Sequence, residues 1–132
     1  MTKIQCTYKG GGLAVLRHGP TGSEITTDLP PDNGGKGRGF SATDLLASSL
    51  ASCILTIMGK ASEKRGESLA GATIEIEKTM AENPRRVAKF AIVLSLPPGL
   101  SENTRKICLA CVDACPVHRS LHPSIAVDLR VL

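Results

Sequence analysis

Ser41-Ala42-Thr43-Asp44-Leu45-Leu46-Ala47-Ser48-Ser49-Leu50-Ala51-Ser52-Cys53-Ile54-Leu55-Thr56-Ile57-Met58-Gly59-Lys60 is the stretch on which the fold turns. Ser41 is a good N-cap, and Asp44 stands three residues on, a capping box with Asp in place of Glu. From Asp44 to Arg65 there is no proline and only one glycine, Gly59. The spacing predicts a long helix. It emerges into solvent at Lys60, Glu63, Lys64 and Arg65, with Gly66 as its C-cap. Leu45, Leu46, Leu50, Ile54, Leu55, Ile57 and Met58 surround the axis instead of forming one stripe. A helix apolar on all sides is buried on all sides. In a chain of 132 residues that requires a sheet on one face and a second helix or another chain on the other.

Upstream of this helix the pattern is short strands and glycine-rich turns. Ile4 to Tyr8, Leu13 to Arg17 and Glu24 to Asp28 are predicted strands, split by Gly10-Gly11-Gly12 and by Gly19-Pro20-Thr21-Gly22, where glycine supplies the positive φ of hairpin turns. Leu29 to Gly39 holds two prolines and four glycines and reads as a loop. Downstream, Ile74 and Ile76 alternate with Glu75 and Glu77, and Phe90, Ile92, Leu94 and Leu96 alternate along a returning strand, with Asn83-Pro84 in the turn. Ser101 caps a second helix through Ile107, Cys108, Ala110, Cys111 and Ala114. Pro116 ends or bends it, because the residue before proline avoids the α region. Ile125, Val127, Leu129 and Val131 alternate in a final strand. The order β-β-β-α-β-β-α-β predicts an α+β fold: antiparallel sheet, a long buried central helix and a second helix.

Composition narrows the function classes. The chain is 42% hydrophobic and 21% charged, an ordinary globular balance, and its length makes residues 1–132 a single domain in expectation. Net charge is +4, with two Phe, one Tyr and no Trp, which leaves little for stacking on bases and argues against nucleic-acid binding. The uncharged run Leu45 to Gly59 falls short of the roughly 18 apolar residues of a membrane span. Met1-Thr2-Lys3-Ile4-Gln5-Cys6 has no apolar signal core, so the expectation is a cytoplasmic protein. With so few aromatics the core must come from Leu, Ile, Val and Ala, and a domain this small gains from pairing with a second copy.

Five cysteines, Cys6, Cys53, Cys108, Cys111 and Cys115, are an odd count that suits a reducing compartment, where thiols are core residues, metal ligands or redox catalysts. Cys53 is either a small buried hydrophobe or a thiolate nucleophile. It sits about three turns inside its helix, too far for the helix N-terminus to stabilise an anion, so a cation from a loop or a partner chain would be required. Cys115, just before Pro116, stands at a backbone break and is either a core thiol or a group facing a pocket. Cys108, Cys111, Cys115 and His118 form C-x2-C-x3-C-x2-H, but without the turn that zinc knuckles use for their first pair, so no metal is expected. Cys6 reads as structural or a bystander, and His18 and His122 as surface or turn residues. The Gly34-Gly35-Lys36-Gly37-Arg38-Gly39 loop lacks the ending of a phosphate cradle. Its use is reach: it could swing Arg38 over a thiol.

Two segments together resemble a known family. Phe40 to Cys53, followed by Thr56-Ile57-Met58-Gly59, resembles the central helix of the OsmC/Ohr family, the osmotically induced proteins C and organic hydroperoxide resistance proteins. Ala114-Cys115-Pro116-Val117-His118 resembles that family's second cysteine motif, and Thr27-Asp28 with Asp32-Asn33-Gly34-Gly35-Lys36-Gly37 is similar to the OsmC-like branch. The resemblance spans nearly the whole chain.

It implies an intertwined homodimer with two interface active sites, and thiol-dependent reduction of organic hydroperoxides without a cofactor. It makes Cys53 the peroxidatic and Cys115 the resolving cysteine, reset by a dithiol reductant such as a lipoylated protein. The family also uses an arginine held by a glutamate; Arg17 and Arg38 are the candidates here. The hydroperoxide-resistance branch has its Glu where this chain has Thr43, while Asp44 matches the acidic position of the OsmC-like branch. Ala42 replaces the proline common at the helix start. These departures leave an alternative: a non-enzymatic redox-sensing or thiol-ligand-binding protein on the same scaffold.

Overall fold

Alternation and glycine placement carry through into the computed structural model, which describes residues 1–132. The chain forms two compact units, Met1–Leu46 and Ala47–Leu132. In the first, β1 (Ile4–Gly10), β2 (Leu13–His18) and β3 (Glu24–Asp28) make an antiparallel meander in that order. Cys6 faces Leu16 and Leu16 faces Ile25, so these side chains share one face of the sheet with Ile4 and Tyr8. Ile4, Tyr8 and Ile25 on that face are exposed. Gly11 and Gly12 turn β1 into β2 with φ of 62° and 89°, a left-handed pair that side-chain-bearing residues rarely adopt.

The loop after β3 is tied back onto its own start. It contains a single 3-10 turn, Pro31–Asn33. Gly37 donates to the Leu29 carbonyl (3.1 Å) and Asp28 donates to the Phe40 carbonyl (2.9 Å). Gly35 is required by proximity: a Cβ there would lie 1.9 Å from the Leu29 carbonyl oxygen. The long helix α1 (Ala42–Glu63) then begins at a capping box. The Ser41 N–H donates to Asp44 Oδ2 (2.9 Å) and the Asp44 N–H donates to Ser41 Oγ (3.0 Å). Gly66, with φ of 73°, closes the far end by donating to the Glu63 carbonyl.

In the second unit, β4 (Thr73–Ala81) and β5 (Arg86–Ser95) form an antiparallel hairpin, and β6 (Ala126–Val131) adds to β5. This last pairing is parallel, where an antiparallel one was expected. The reason is the connection: α2 (Glu102–Ala114) and a short α3 (Pro116–Ser120) carry the chain back across the sheet, and a crossover of that length returns a strand in the same direction. Ser101 caps α2, its Oγ accepting from the Thr104 N–H (3.2 Å). Glu67, just past α1, accepts from the Ser101 N–H (2.6 Å) and Oγ (2.9 Å) and from the Thr104 hydroxyl, which ties the end of α1 to the start of α2.

The core draws on Leu50, Ile54 and Met58 of α1, Phe90, Ile92 and Leu94 of β5, and Cys108, Cys111, Val112 and Cys115 at α2 and its end. Phe90 and Met58 join the Leu, Ile and Val expected there. The buried residues of α1 are Ala47, Leu50, Ile54, Met58 and Ser62, one stripe at helical spacing, so the single chain does not bury this helix on all sides as anticipated. Leu45, Leu46, Leu55 and Ile57 stay half-exposed. By length and composition alone α1 would also suffice to cross a membrane, a correction to the run-length argument from the sequence.

Candidate active site

Pro116 shapes the first half of the site. It holds Cys115 in an extended conformation (φ −61°, ψ 123°), which ends α2 and starts α3 on the next residue. The Cys115 side chain thereby leaves the helical path and turns inward, fully buried. Cys115 is the N-cap of α3, and its Sγ accepts from the His118 N–H (3.4 Å). The second half comes from α1, where Cys53 lies half-buried at the edge of the packed stripe. Both thiols are free, and Cys53 is near enough to Cys115 to act on its ionisation.

Burial pushes the Cys115 thiol up from its ordinary pKa, and the neighbouring Cys53 thiol pushes it the same way; the backbone N–H groups of His118 and Val117 oppose both. Cys115 is therefore held as a thiol, burial being the largest cause. Burial and the neighbouring Cys108 likewise raise Cys111.

The remaining members of the C-x2-C-x3-C-x2-H pattern are committed elsewhere. Cys108 Sγ meets Ser62 Oγ (3.3 Å), Cys111 Sγ donates to the Ile107 carbonyl (3.2 Å), and His118 Nδ1 donates to the Val112 carbonyl (2.9 Å). No three His, Cys, Asp or Glu side chains converge as metal ligands. Cys6 is exposed on β1.

The N-terminal unit holds the candidate cations. Arg38 grips Asp28 with Nε to Oδ2 (2.8 Å), Nη2 to Oδ1 (3.2 Å) and its own backbone N–H to Oδ2 (2.8 Å), and Nη2 also reaches the Gly11 carbonyl (3.1 Å). The Asp28 side chain is 2% exposed and that of Arg38 45%, so the carboxylate is hidden while the guanidinium meets solvent. These bonds hold the Asp28 carboxyl down at about 2, the Arg38 side chain being the largest cause and its backbone N–H the next. Arg17 is exposed on β2, opposite Gln5 and Glu24. Asp44 is a capping residue of α1, and Thr43 Oγ1 bonds Ser41 Oγ (3.2 Å).

Asp28 is the residue to which the sequence alone assigns no role. Its signal is a carboxylate ending a strand, ten residues before an arginine in a loop of glycines, but nothing in that spacing says that the loop folds back.

A half-buried cysteine on a long helix, beside a buried one at a proline-broken helix end within an α+β frame, defines a paired-cysteine thiol protein. Residues 34–130 match the family model described as OsmC-like protein, and the chain belongs to the OsmC-like family. Among solved structures it is similar to a Psychrobacter arcticus 273-4 protein named for a proposed osmotic stress induced and detoxification response. That pair shares 42% identity over 100% of this chain and 96% of the other, with a TM-score of 0.93. An OsmC-like protein from Mycoplasma pneumoniae shares the fold at 18% identity, covering 100% and 96% of the two chains with a TM-score of 0.82. So does an organic hydroperoxide resistance protein OsmC from Legionella pneumophila, at 20% identity, 99% and 96% coverage and a TM-score of 0.76. No curated protein matches the sequence.

Proposed function

We propose that the protein is a cysteine-based peroxidase that reduces organic hydroperoxides. The observation that carries this reading is the neighbouring pair of free thiols, Cys53 half-buried and Cys115 buried. The Cys53 thiolate attacks the terminal peroxide oxygen. The O–O bond breaks, the alkoxide leaves and takes up a proton, and Cys53 becomes a sulfenic acid. Cys115 then attacks the Cys53 sulfur, the S–O bond breaks, and the hydroxyl leaves as water with the Cys115 proton. A disulfide remains, which an external dithiol, such as a lipoylated protein, returns to two thiols by exchange.

Burial is the main cause that keeps Cys115 a thiol, and Cys53 adds to it, so oxidation of Cys53 lifts part of the restraint on the second thiol. Of the candidate arginines, Arg38 is the one oriented by a hidden carboxylate, and we assign it to polarise the peroxide. Asp28 supplies the anchoring that Thr43 cannot, and this weakens the case for a merely redox-sensing protein. The half-exposed Leu45, Leu46, Leu55 and Ile57 of α1 and the apolar face of β1–β3 favour a homodimer. Five free thiols suit a reducing cytoplasm.

The test is one equivalent of cumene or t-butyl hydroperoxide added to reduced protein, followed by peroxide loss and intact mass. The expected result is consumption with a Cys53–Cys115 linkage. Cys53→Ser abolishes consumption, and Cys115→Ser allows one turnover and leaves an oxidised Cys53. Peroxide left intact with both thiols reduced overturns the reading, and oxidation that stops after one turnover under every dithiol favours a sensor.

A further inference from the structure

The break between α2 and α3 leaves a structural problem that one side chain solves. The last carbonyls of α2 have no partners within the helix, and Pro116 has no N–H to offer. Val112 O receives the Cys115 N–H only at 3.4 Å. Its better donor is the His118 ring, with Nδ1 at 2.9 Å. Because a carbonyl only accepts, Nδ1 carries the proton in this bond. Asp113 Oδ1, at 3.9 Å from Nδ1 and highly exposed, is beyond hydrogen-bond distance. The backbone N–H of His118 donates to Cys115 Sγ. His118 thus grips the residues on both sides of the break: its ring holds the end of α2 while its main chain holds the sulfur. Arg119 acts as the ring does on the next carbonyl, with Nε donating to Asp113 O (3.0 Å).

We propose that His118 is a positioning residue for the resolving cysteine: its ring-to-Val112 bond keeps the α2–α3 elbow closed so that Cys115 Sγ stays against Cys53, and so sets the rate at which the disulfide forms. This rests on the assignment of Cys53 and Cys115 given above. The ring touches neither peroxide nor the reacting sulfurs. It therefore governs the step in which the Cys115 sulfur displaces hydroxide from the Cys53 sulfenic acid, and leaves the attack on peroxide alone.

The experiment compares wild type with His118→Leu and His118→Ala, which remove the donor, and with His118→Asn, whose amide can still donate to Val112 O. Sulfenic acid is trapped with dimedone, disulfide is read by intact mass, and circular dichroism identifies the folded variants. Donor-free variants consume the first equivalent of cumene hydroperoxide at the wild-type rate. They accumulate dimedone-reactive Cys53 and close the disulfide about tenfold more slowly, the scale of one lost hydrogen bond in a barrier. His118→Asn restores closure to within about threefold of wild type by the same scale. Closure at the wild-type rate in a folded donor-free variant overturns the proposal, as does an Asn variant as slow as the Leu one. If wild type leaves peroxide untouched, the peroxidase reading fails by itself. Closure is then driven with diamide, which takes two electrons and two protons from the thiol pair, and the same comparison of variants decides the role of His118.

Discussion

Joining Cys53 to Cys115 will stabilise the protein by an amount that the chain itself sets. The linkage closes a loop of about 62 residues, and the loss of loop entropy from the unfolded chain corresponds to about 4 kcal/mol. Native-state distortion subtracts from that value, but the two thiols are already near enough in the reduced fold for Cys53 to act on the ionisation of Cys115, so the value stands as the expected upper scale. The assay is urea unfolding of the oxidised protein against the same sample in a dithiol. With a slope of about 2 kcal/mol per M of urea, the midpoint of the oxidised form lies about 2 M higher. Cys115→Ser, which cannot form the bond, shows no shift between the two conditions. An oxidised form with a midpoint equal to or below that of the reduced one would falsify the claim that the reduced fold presents these sulfurs to each other.

Asp28→Asn removes the carboxylate that orients Arg38, and peroxide consumption by the first thiol should fall at least tenfold, roughly the scale of a lost charge-assisted bond. Unchanged kinetics in stopped-flow would eliminate Arg38 as the polarising cation. Because the Asp28 carboxyl is held down at about 2, its contribution to stability is fully present above the ordinary aspartate range and is lost only as pH falls toward about 2; acid titration of the Asp28→Asn variant should lack that loss. Glu67 is likewise lowered, first by the Ser101 N–H and then by the Thr104 hydroxyl. Its tie between α1 and α2 holds above the ordinary glutamate range and fails as pH falls through the lowered value, and Glu67→Gln should flatten that region of the stability curve measured in urea. Cys108→Ala leaves Ser62 Oγ still bonded to the Met58 carbonyl (3.0 Å), so peroxide turnover should match wild type; a loss of turnover would bring Cys108 into the redox chemistry.

Local chemistry made most of the elements legible. Strand β3 is readable at Glu24–Asp28, where the structure has it, and the caps of α1 and α2 are visible in Ser41, Asp44 and Ser101 because a cap is a contact between near neighbours. The direction of β6 is not legible: Val127, Leu129 and Val131 alternate identically in either sense, and only the crossover decides. Helix α3 escapes notice because five residues after a proline carry no periodicity. The burial of α1 is legible in part: one chain covers the stripe Ala47, Leu50, Ile54, Met58 and Ser62, while the remaining apolar faces describe what the helix can cover and not what covers it. The meeting of Cys53 with Cys115 rests on family resemblance, as two residues 62 positions apart obey no spacing rule. The grip of Arg38 on Asp28 depends on a loop that doubles back, which no local pattern encodes.

That grip also makes Arg38 a clasp. The guanidinium and main-chain N–H that fasten it to Asp28 join the main-chain ties of Gly37 and Phe40 in shutting the Leu29–Gly39 segment on itself. A ligand that drew the guanidinium outward would therefore undo one of the fastenings of a glycine-rich tether. The main-chain ties of the segment do not involve the guanidinium and would remain, so only the side-chain share of the clasp answers to what the arginine holds.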